Sequence, residues 1–138
     1  MRINFSEINE KVPASPGFYE IYRNDDLLLK VGIGVNIRSR LLQHRASLQS
    51  CLVLKPNGNW LNPNDVVSKK SILAKHLYFD QTITKNYDLT TQDGRRNFLI
   101  NDCYIIFKET EKIEEARILE QSRENEGNIL YVGDVQIR

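Results

Sequence analysis

Five side chains in this sequence have types and spacings that could do chemistry together: Tyr19, Lys30, Arg40, His44 and Glu120. Tyr19 and Lys30 sit in two apolar runs, 18–23 and 27–33, joined by Asn24-Asp25-Asp26, residues that tolerate the positive φ of a tight turn. A two-residue turn at Asn24-Asp25 opposes Arg23 to Asp26 and, counting outward, Tyr19 to Lys30. Opposed residues share a face with Cβ atoms about 5 Å apart. An ammonium beside a phenol favours the phenolate and lowers its pKa from about 10. Arg40 and His44 stand four apart on what reads as a helix, so they present together, a pairing suited to gripping a phosphate. Glu120 shares a helical face with Ile113 and Ala116, the side that should be buried. A carboxylate there needs a cation or hydrogen bonds.

The elements that must position these groups are a hairpin and the helix after it. Gly32 and Gly34 let the backbone turn, and Asn36 is placed to cap a helix from 37 to about 48. Ile37, Leu41 and Leu48 form its apolar stripe, with Arg40 and His44 along the edge and Arg38 and Arg45 on the opposite flank. His44, beside that stripe, reads equally as a structural histidine. Residues 101–108, Asn-Asp-Cys-Tyr-Ile-Ile-Phe-Lys, are the natural third strand. Thr110 then caps a helix from 111 to about 124, which carries Glu120. Pro13-Ala14-Ser15-Pro16 is a stiff lead into the first strand. Between 50 and 100 the pattern loosens into a turn-rich loop around Trp60 and a short helix within 68–79 bearing Lys69, Lys70 and Lys75. Asp93-Gly94-Arg95-Arg96 reads as a turn carrying two more cations.

A chain of 138 residues suits one domain with a single core. Hydrophobic content of 41% and charged content of 27% are ordinary for a soluble globular protein. A net charge of +1 excludes a broadly cationic surface but leaves room for a local basic patch. No apolar run approaches the roughly 18 residues of a membrane span, and no signal pattern opens the chain. Cys51 and Cys103, without metal-ligand spacing around them, read as reduced thiols of a cytoplasmic protein and argue against a zinc site.

Gly17-Phe18-Tyr19, Lys30-Val31-Gly32 and Asn36-Ile37-Arg38-Ser39-Arg40-Leu41-Leu42-Gln43-His44 together resemble the GIY-YIG nucleases. That family's motifs are Gly-Ile-Tyr, Tyr-Ile-Gly and, on the following helix, Asn-Ile-x-x-Arg-Leu-x-x-His. Lys30 stands where the family has its second tyrosine, a change that some restriction enzymes of the class share. Ala116-Arg117-Ile118-Leu119-Glu120 is similar to the setting of the family's metal-binding glutamate, and Gly127-Asn128 to its late asparagine. Tyr131-Val132-Gly133 also looks like the second motif, but it follows the last helix and cannot take the strand position that Lys30 fills.

The resemblance covers 15–48 and 101–128 and is silent on the segment between. It implies an α+β fold, a small three-stranded antiparallel sheet flanked by helices in β-β-α-β-α order. The single domain would span 1–138, with 1–14 a lead-in and 50–100 an insertion. It implies Mg²⁺- or Mn²⁺-dependent hydrolysis of DNA phosphodiester bonds, with Tyr19 as general base and Lys30 favouring its phenolate. Arg40 would clamp the phosphate, His44 would hydrogen-bond nearby or relay a proton, and Glu120 would hold the metal. Arg38, Arg45, Lys69, Lys70, Arg95 and Arg96 would follow the DNA backbone, although the insertion's charges read equally as a solvated surface. The expected partner is DNA, not a membrane, and double-strand cleavage with one site per chain favours a homodimer. The alternatives are a catalytically inactive nucleic-acid-binding module on the same fold, and a protein-interaction domain that keeps the fold alone.

Overall fold

Three residues near the start of the chain, Arg2–Asn4, form a strand, β1, with Ile3 buried between exposed neighbours. A one-turn helix, α1 (Ile8–Lys11), leads to the hairpin strands β2 (Gly17–Arg23) and β3 (Leu28–Gly34), and to helix α2 (Ile37–Ala46). There follow β4 (Leu52–Leu54), β5 (Val66–Ser68), α3 (Ile72–Tyr78), α4 (Gln92–Asp102), β6 (Cys103–Glu109) and α5 (Ile113–Glu126). This is a computed structural model and describes residues 1–138. The fold is α+β, in two compact units: Met1–Leu42 with Ile100–Leu130, and Gln43–Leu99 with Tyr131–Arg138.

The first unit is built on an antiparallel sheet of four strands in the order β1-β6-β2-β3. The expected three-stranded sheet is corrected by β1, which takes the far edge of β6 with Arg2 opposite Ile106 and Asn4 opposite Tyr104. The first fourteen residues are therefore more than a lead-in. β6 is paired on both sides, which is why its run of Cys103, Tyr104, Ile105 and Phe107 is buried.

The hairpin register departs from expectation by two residues, in two separate steps. The turn has three residues, not two. Arg23 N–H donates to Leu27 O at 2.9 Å, Asp26 N–H donates to Arg23 O at 2.9 Å, and Asp26 takes the left-handed conformation at φ 69°. Tyr22 then opposes Leu28, and a bulge between Ile21 and Tyr22 adds the second step, so that Ile21 opposes Lys30 and Tyr19 opposes Gly32. Because the steps sum to two, face parity survives. Phe18, Glu20, Tyr22, Leu28, Val31 and Ile33 lie on one face, and Tyr19, Ile21, Lys30 and Gly32 on the other.

Helix α5 covers the first of these faces, placing Ile113, Ala116 and Leu119 against Phe18, Leu28 and Val31. Its position is pinned by Arg123, whose Nε donates to Glu20 Oε2 at 3.2 Å and whose Nη1 donates to Gly127 O at 2.8 Å. Tyr22 donates to the same Glu20 oxygen at 2.9 Å. Helix α2 is capped by Asn36, whose Oδ1 accepts from Ser39 N–H at 3.1 Å.

In the second unit β4 and β5 pair as a two-stranded ribbon, with Leu52 opposite Ser68 and Leu54 opposite Val66. Its core gathers Cys51, Leu52, Val66, Ala74 and Phe79. The closing segment 131–138 is tied in by Gln81 N–H to Arg138 O and Arg138 N–H to Phe79 O, both 3.0 Å. Tyr131 stacks on His76 at 5.0 Å and donates to Asp80 Oδ2 at 2.7 Å, so Tyr131-Val132-Gly133 serves as a structural strap. No helix is long and apolar enough to cross a membrane.

Candidate active site

The hairpin carries Tyr19 and Lys30 on one face as diagonal neighbours rather than as a directly opposed pair. What lies opposite Tyr19 is Gly32, and the tyrosine ring rests directly over it. A Cβ built on Gly32 would press against the Tyr19 hydroxyl and stand 2.5 Å from Cζ and 2.9 Å from Cε2. The absence of a side chain at position 32 is thus what gives the ring its seat. At the end of the same strand, a Cβ on Gly34 would lie 2.9 Å from Arg40 Cβ, which brings the first turn of α2 close to β3.

Arg40 uses this approach to donate a hydrogen bond to the Tyr19 hydroxyl. Tyr19 is buried, and burial pushes its pKa up to about 12, against the pull of the Arg40 charge and hydrogen bond; the Glu120 charge pushes the same way as burial. Two expectations are corrected here. The cation that acts on the tyrosine is Arg40, not Lys30, and the net effect on Tyr19 is a rise. At pH 7 only about one phenol in 10⁵ is ionised with such a pKa.

Lys30 is half-buried, and its ammonium is disfavoured first by burial and then by the Arg40 charge. Glu120 and Glu124 on α5 pull the other way. Glu120, also half-buried, has its carboxyl raised above the usual range by burial and by Glu124, while Lys30 and Arg117 lower it. Tyr19, Lys30, Arg40 and Glu120, with Glu124 beside the last, therefore form one electrostatically coupled cluster at the edge strand β3, in which burial disfavours the charged forms of Tyr19, Lys30 and Glu120. No group of three or more His, Cys, Asp and Glu side chains is placed to hold a metal ion. An open groove of about 570 Å³ in the same unit lies elsewhere: it is lined by Lys11, Arg38 and Lys108, and none of the four cluster residues borders it.

His44 does not join this cluster as expected. It lies with Ile37 and Leu41 on the buried face of α2, not at its edge. Its Nδ1 is 2.8 Å from Ser71 Oγ, the hydroxyl that accepts from Ala74 N–H and so caps α3. The reason is helical spacing: residues 37, 41 and 44 share one stripe, and the imidazole is satisfied inside the second unit.

Arg95, expected to contact DNA, is corrected to an interior group. It is wholly buried, with Nε donating to Ser47 Oγ at 2.8 Å and Nη2 to Ser47 O at 3.0 Å and Gln49 Oε1 at 3.1 Å. Nη1 donates to Leu89 O at 3.1 Å. The guanidinium thus closes the chain end after α2, where Ser47 turns at φ 44°. Gly94-Arg95-Arg96 is helical, inside α4, rather than a turn; Gly94 is needed because the Asp88 backbone passes against it. Arg96, Lys69 and Lys70 are exposed. Arg38 is half-buried and gives its Nε to Val12 O at 2.6 Å, and Arg45 is half-buried. Cys51 and Cys103 are buried free thiols.

Sequence reasoning missed the seat that Gly32 provides, whose signal was the Val31-Gly32 step inside an apolar strand. It also missed Glu124, one helical turn beyond Glu120. Comparison with family models, curated proteins and solved structures finds no match to this chain.

Proposed function

We propose that this chain is a metal-dependent endonuclease of the GIY-YIG type, hydrolysing DNA phosphodiester bonds. The observation that carries the reading is the convergence of Tyr19, Lys30, Arg40 and Glu120 on one end of a hairpin-and-helix unit. The element run β2, β3, α2, β6, α5 supports it at the level of the fold, with most of the second unit lying in the chain between α2 and β6.

Glu120 fits a hard divalent cation. Its charged form is disfavoured by burial and by Glu124, a penalty that Mg²⁺ or Mn²⁺ would relieve. Mg²⁺ is commonly held by one or two carboxylates together with water and phosphate oxygens. When bound, the ion supplies positive charge to the oxygens at the reacting phosphorus. Arg40, held at the Tyr19 hydroxyl, would place its guanidinium charge toward a phosphate oxygen. Tyr19 stays protonated and orients the attacking water as a hydrogen-bond partner. Lys30 is the better proton acceptor, since burial and Arg40 both favour its neutral amine. The ammonium formed as water gives up its proton is then balanced by Glu120 and Glu124.

A second reading, a catalytically inactive DNA-binding module, is favoured by the engagement of His44 with Ser71 and by the buried, protonated Tyr19. A supercoiled-plasmid nicking assay with Mg²⁺ or EDTA separates the two. Nicking that needs Mg²⁺ and is lost in Arg40→Ala and Glu120→Gln supports the nuclease. DNA binding without nicking selects the module, and neither activity discards both.

A further inference from the structure

The loop between β4 and β5 is tightly built. Lys55 N–H donates to Asp65 O at 2.8 Å, Gly58 N–H to Lys55 O at 2.9 Å, and Asn62 N–H to Asn59 O at 3.0 Å. Side chains add Asn59 N–H to Asp65 Oδ2 at 3.0 Å, Leu61 N–H to Asn59 Oδ1 at 2.9 Å and Asn64 N–H to Asn62 Oδ1 at 3.0 Å. The frame holds two apolar side chains outward: Trp60 is 37% exposed and Leu61 76%. Such preorganisation lowers the ordering cost of binding something at the tip.

Two lysines, Lys55 and Lys75, lie close enough to feel each other's charge beside the frame of this tip. Trp60 leans on Tyr78, with ring centroids 6.0 Å apart, and Tyr78 is three residues along α3 from Lys75. Burial holds Lys75 below the usual lysine range, and the nearby Lys55 charge adds to this; Asp134 acts in the opposite sense. Neither lysine is in a salt bridge. The exposed Lys69 and Lys70 follow β5.

Like charges held together beside an exposed indole suit a polymer that is both anionic and flat-faced. Phosphates answer the lysines, and a base stacks on the ring. An apolar protein surface would cover Trp60 and Leu61 but leave Lys55 and Lys75 desolvated without partners, a costly outcome. We propose that the Trp60–Leu61 loop is a stacking platform for unpaired or unstacked DNA bases, with Lys55 and Lys75 on the flanking phosphates. The choice of DNA as the polymer rests on the nuclease reading; the platform does not depend on catalysis.

Trp60 is the only tryptophan in the chain, so indole emission, excited where tyrosine does not absorb, reports on this loop alone. The test titrates the full chain, in EDTA so that nothing is cut, with a labelled paired duplex and with the same duplex carrying a two-base bulge. Emission of Trp60 should be quenched in step with the rise in label anisotropy, and the bulged duplex should bind more tightly. Trp60→Ala should weaken bulged-duplex binding about 5- to 150-fold, with Trp60→Phe keeping most of the affinity. Lys55→Met should flatten the log–log salt dependence by about one unit. DNA binding with unchanged Trp60 emission, or with Trp60→Ala at full affinity, overturns the platform and leaves the nuclease reading standing. No binding to any DNA overturns both. An emission change that follows protein concentration without DNA assigns the loop to contact between copies and overturns the proposal.

Discussion

Replacing Gly32 with alanine adds one methyl group at the point where the Tyr19 ring rests. That carbon would stand 2.5 Å from Tyr19 Cζ and 2.9 Å from Cε2, and closer still to the hydroxyl. Carbon atoms pack comfortably at about 3.5–4.0 Å, so the ring must move by roughly an ångström. Tyr19 is 1% exposed and has little room to do so. Overpacking of this kind costs about 1–3 kcal/mol, and disturbing the charge-assisted bond from Arg40 adds about 1 kcal/mol or more. The expected destabilisation is thus about 2–4 kcal/mol, together with loss of nicking. A double-mutant cycle by urea unfolding checks the reasoning, using Gly32→Ala, Tyr19→Ala and the pair. With the ring removed the methyl has space, and alanine is a better strand residue than glycine by about 0.5–1 kcal/mol. Gly32→Ala should then cost almost nothing, giving a coupling of about 2 kcal/mol or more. An equal cost in both backgrounds would refute the seat.

Lys30→Met should slow single-turnover cleavage and remove the rise in rate expected of wild type as pH climbs toward the lowered Lys30 pKa; a wild-type profile with no such rise removes Lys30 as the base. The same variant has a stability readout. Since the folded pKa lies below the 10.5 of a free lysine, the unfolded chain holds more protons between the two values, so wild type gains stability as pH rises through that window and Lys30→Met does not. Mg²⁺ at 100 times its dissociation constant should stabilise the protein by about 2.7 kcal/mol at pH 7, and Glu120→Gln should abolish the shift; thermal melts with and without the ion decide it. Arg95→Met should cost about 3 kcal/mol or more in stability while leaving the salt dependence of DNA binding unchanged, whereas Lys69→Met should flatten that slope without loss of stability.

The hairpin, its following helix and the strand over 103–109 are legible because each has a clean apolar period and a recognisable turn or cap. The register is not, because turn length and a bulge each shift it by one residue and neither is written in residue types alone. Tyr19 and Lys30 still share a face only because the two shifts sum to an even number. β1 escapes notice since three residues are too few for periodicity, and it exists because β6 has a free edge to fill. Arg95 and His44 show the opposite failure. Both types usually mark surface or chemistry, and nothing local announces that Ser47 and Ser71 wait inside the fold to receive them.

Strand β6 is the only partner of β1 and the second partner of β2, yet residues 35–102 separate it from the hairpin it joins. During synthesis the first strand and the inner edge of the hairpin must therefore wait until residue 109 has left the ribosome before the sheet can close. The 43–99 segment, contiguous and carrying most of the second unit, emerges complete before that moment. The cluster around Tyr19, begun by Tyr19, Lys30 and Arg40 early in the message, is completed only once Glu120 has emerged as well.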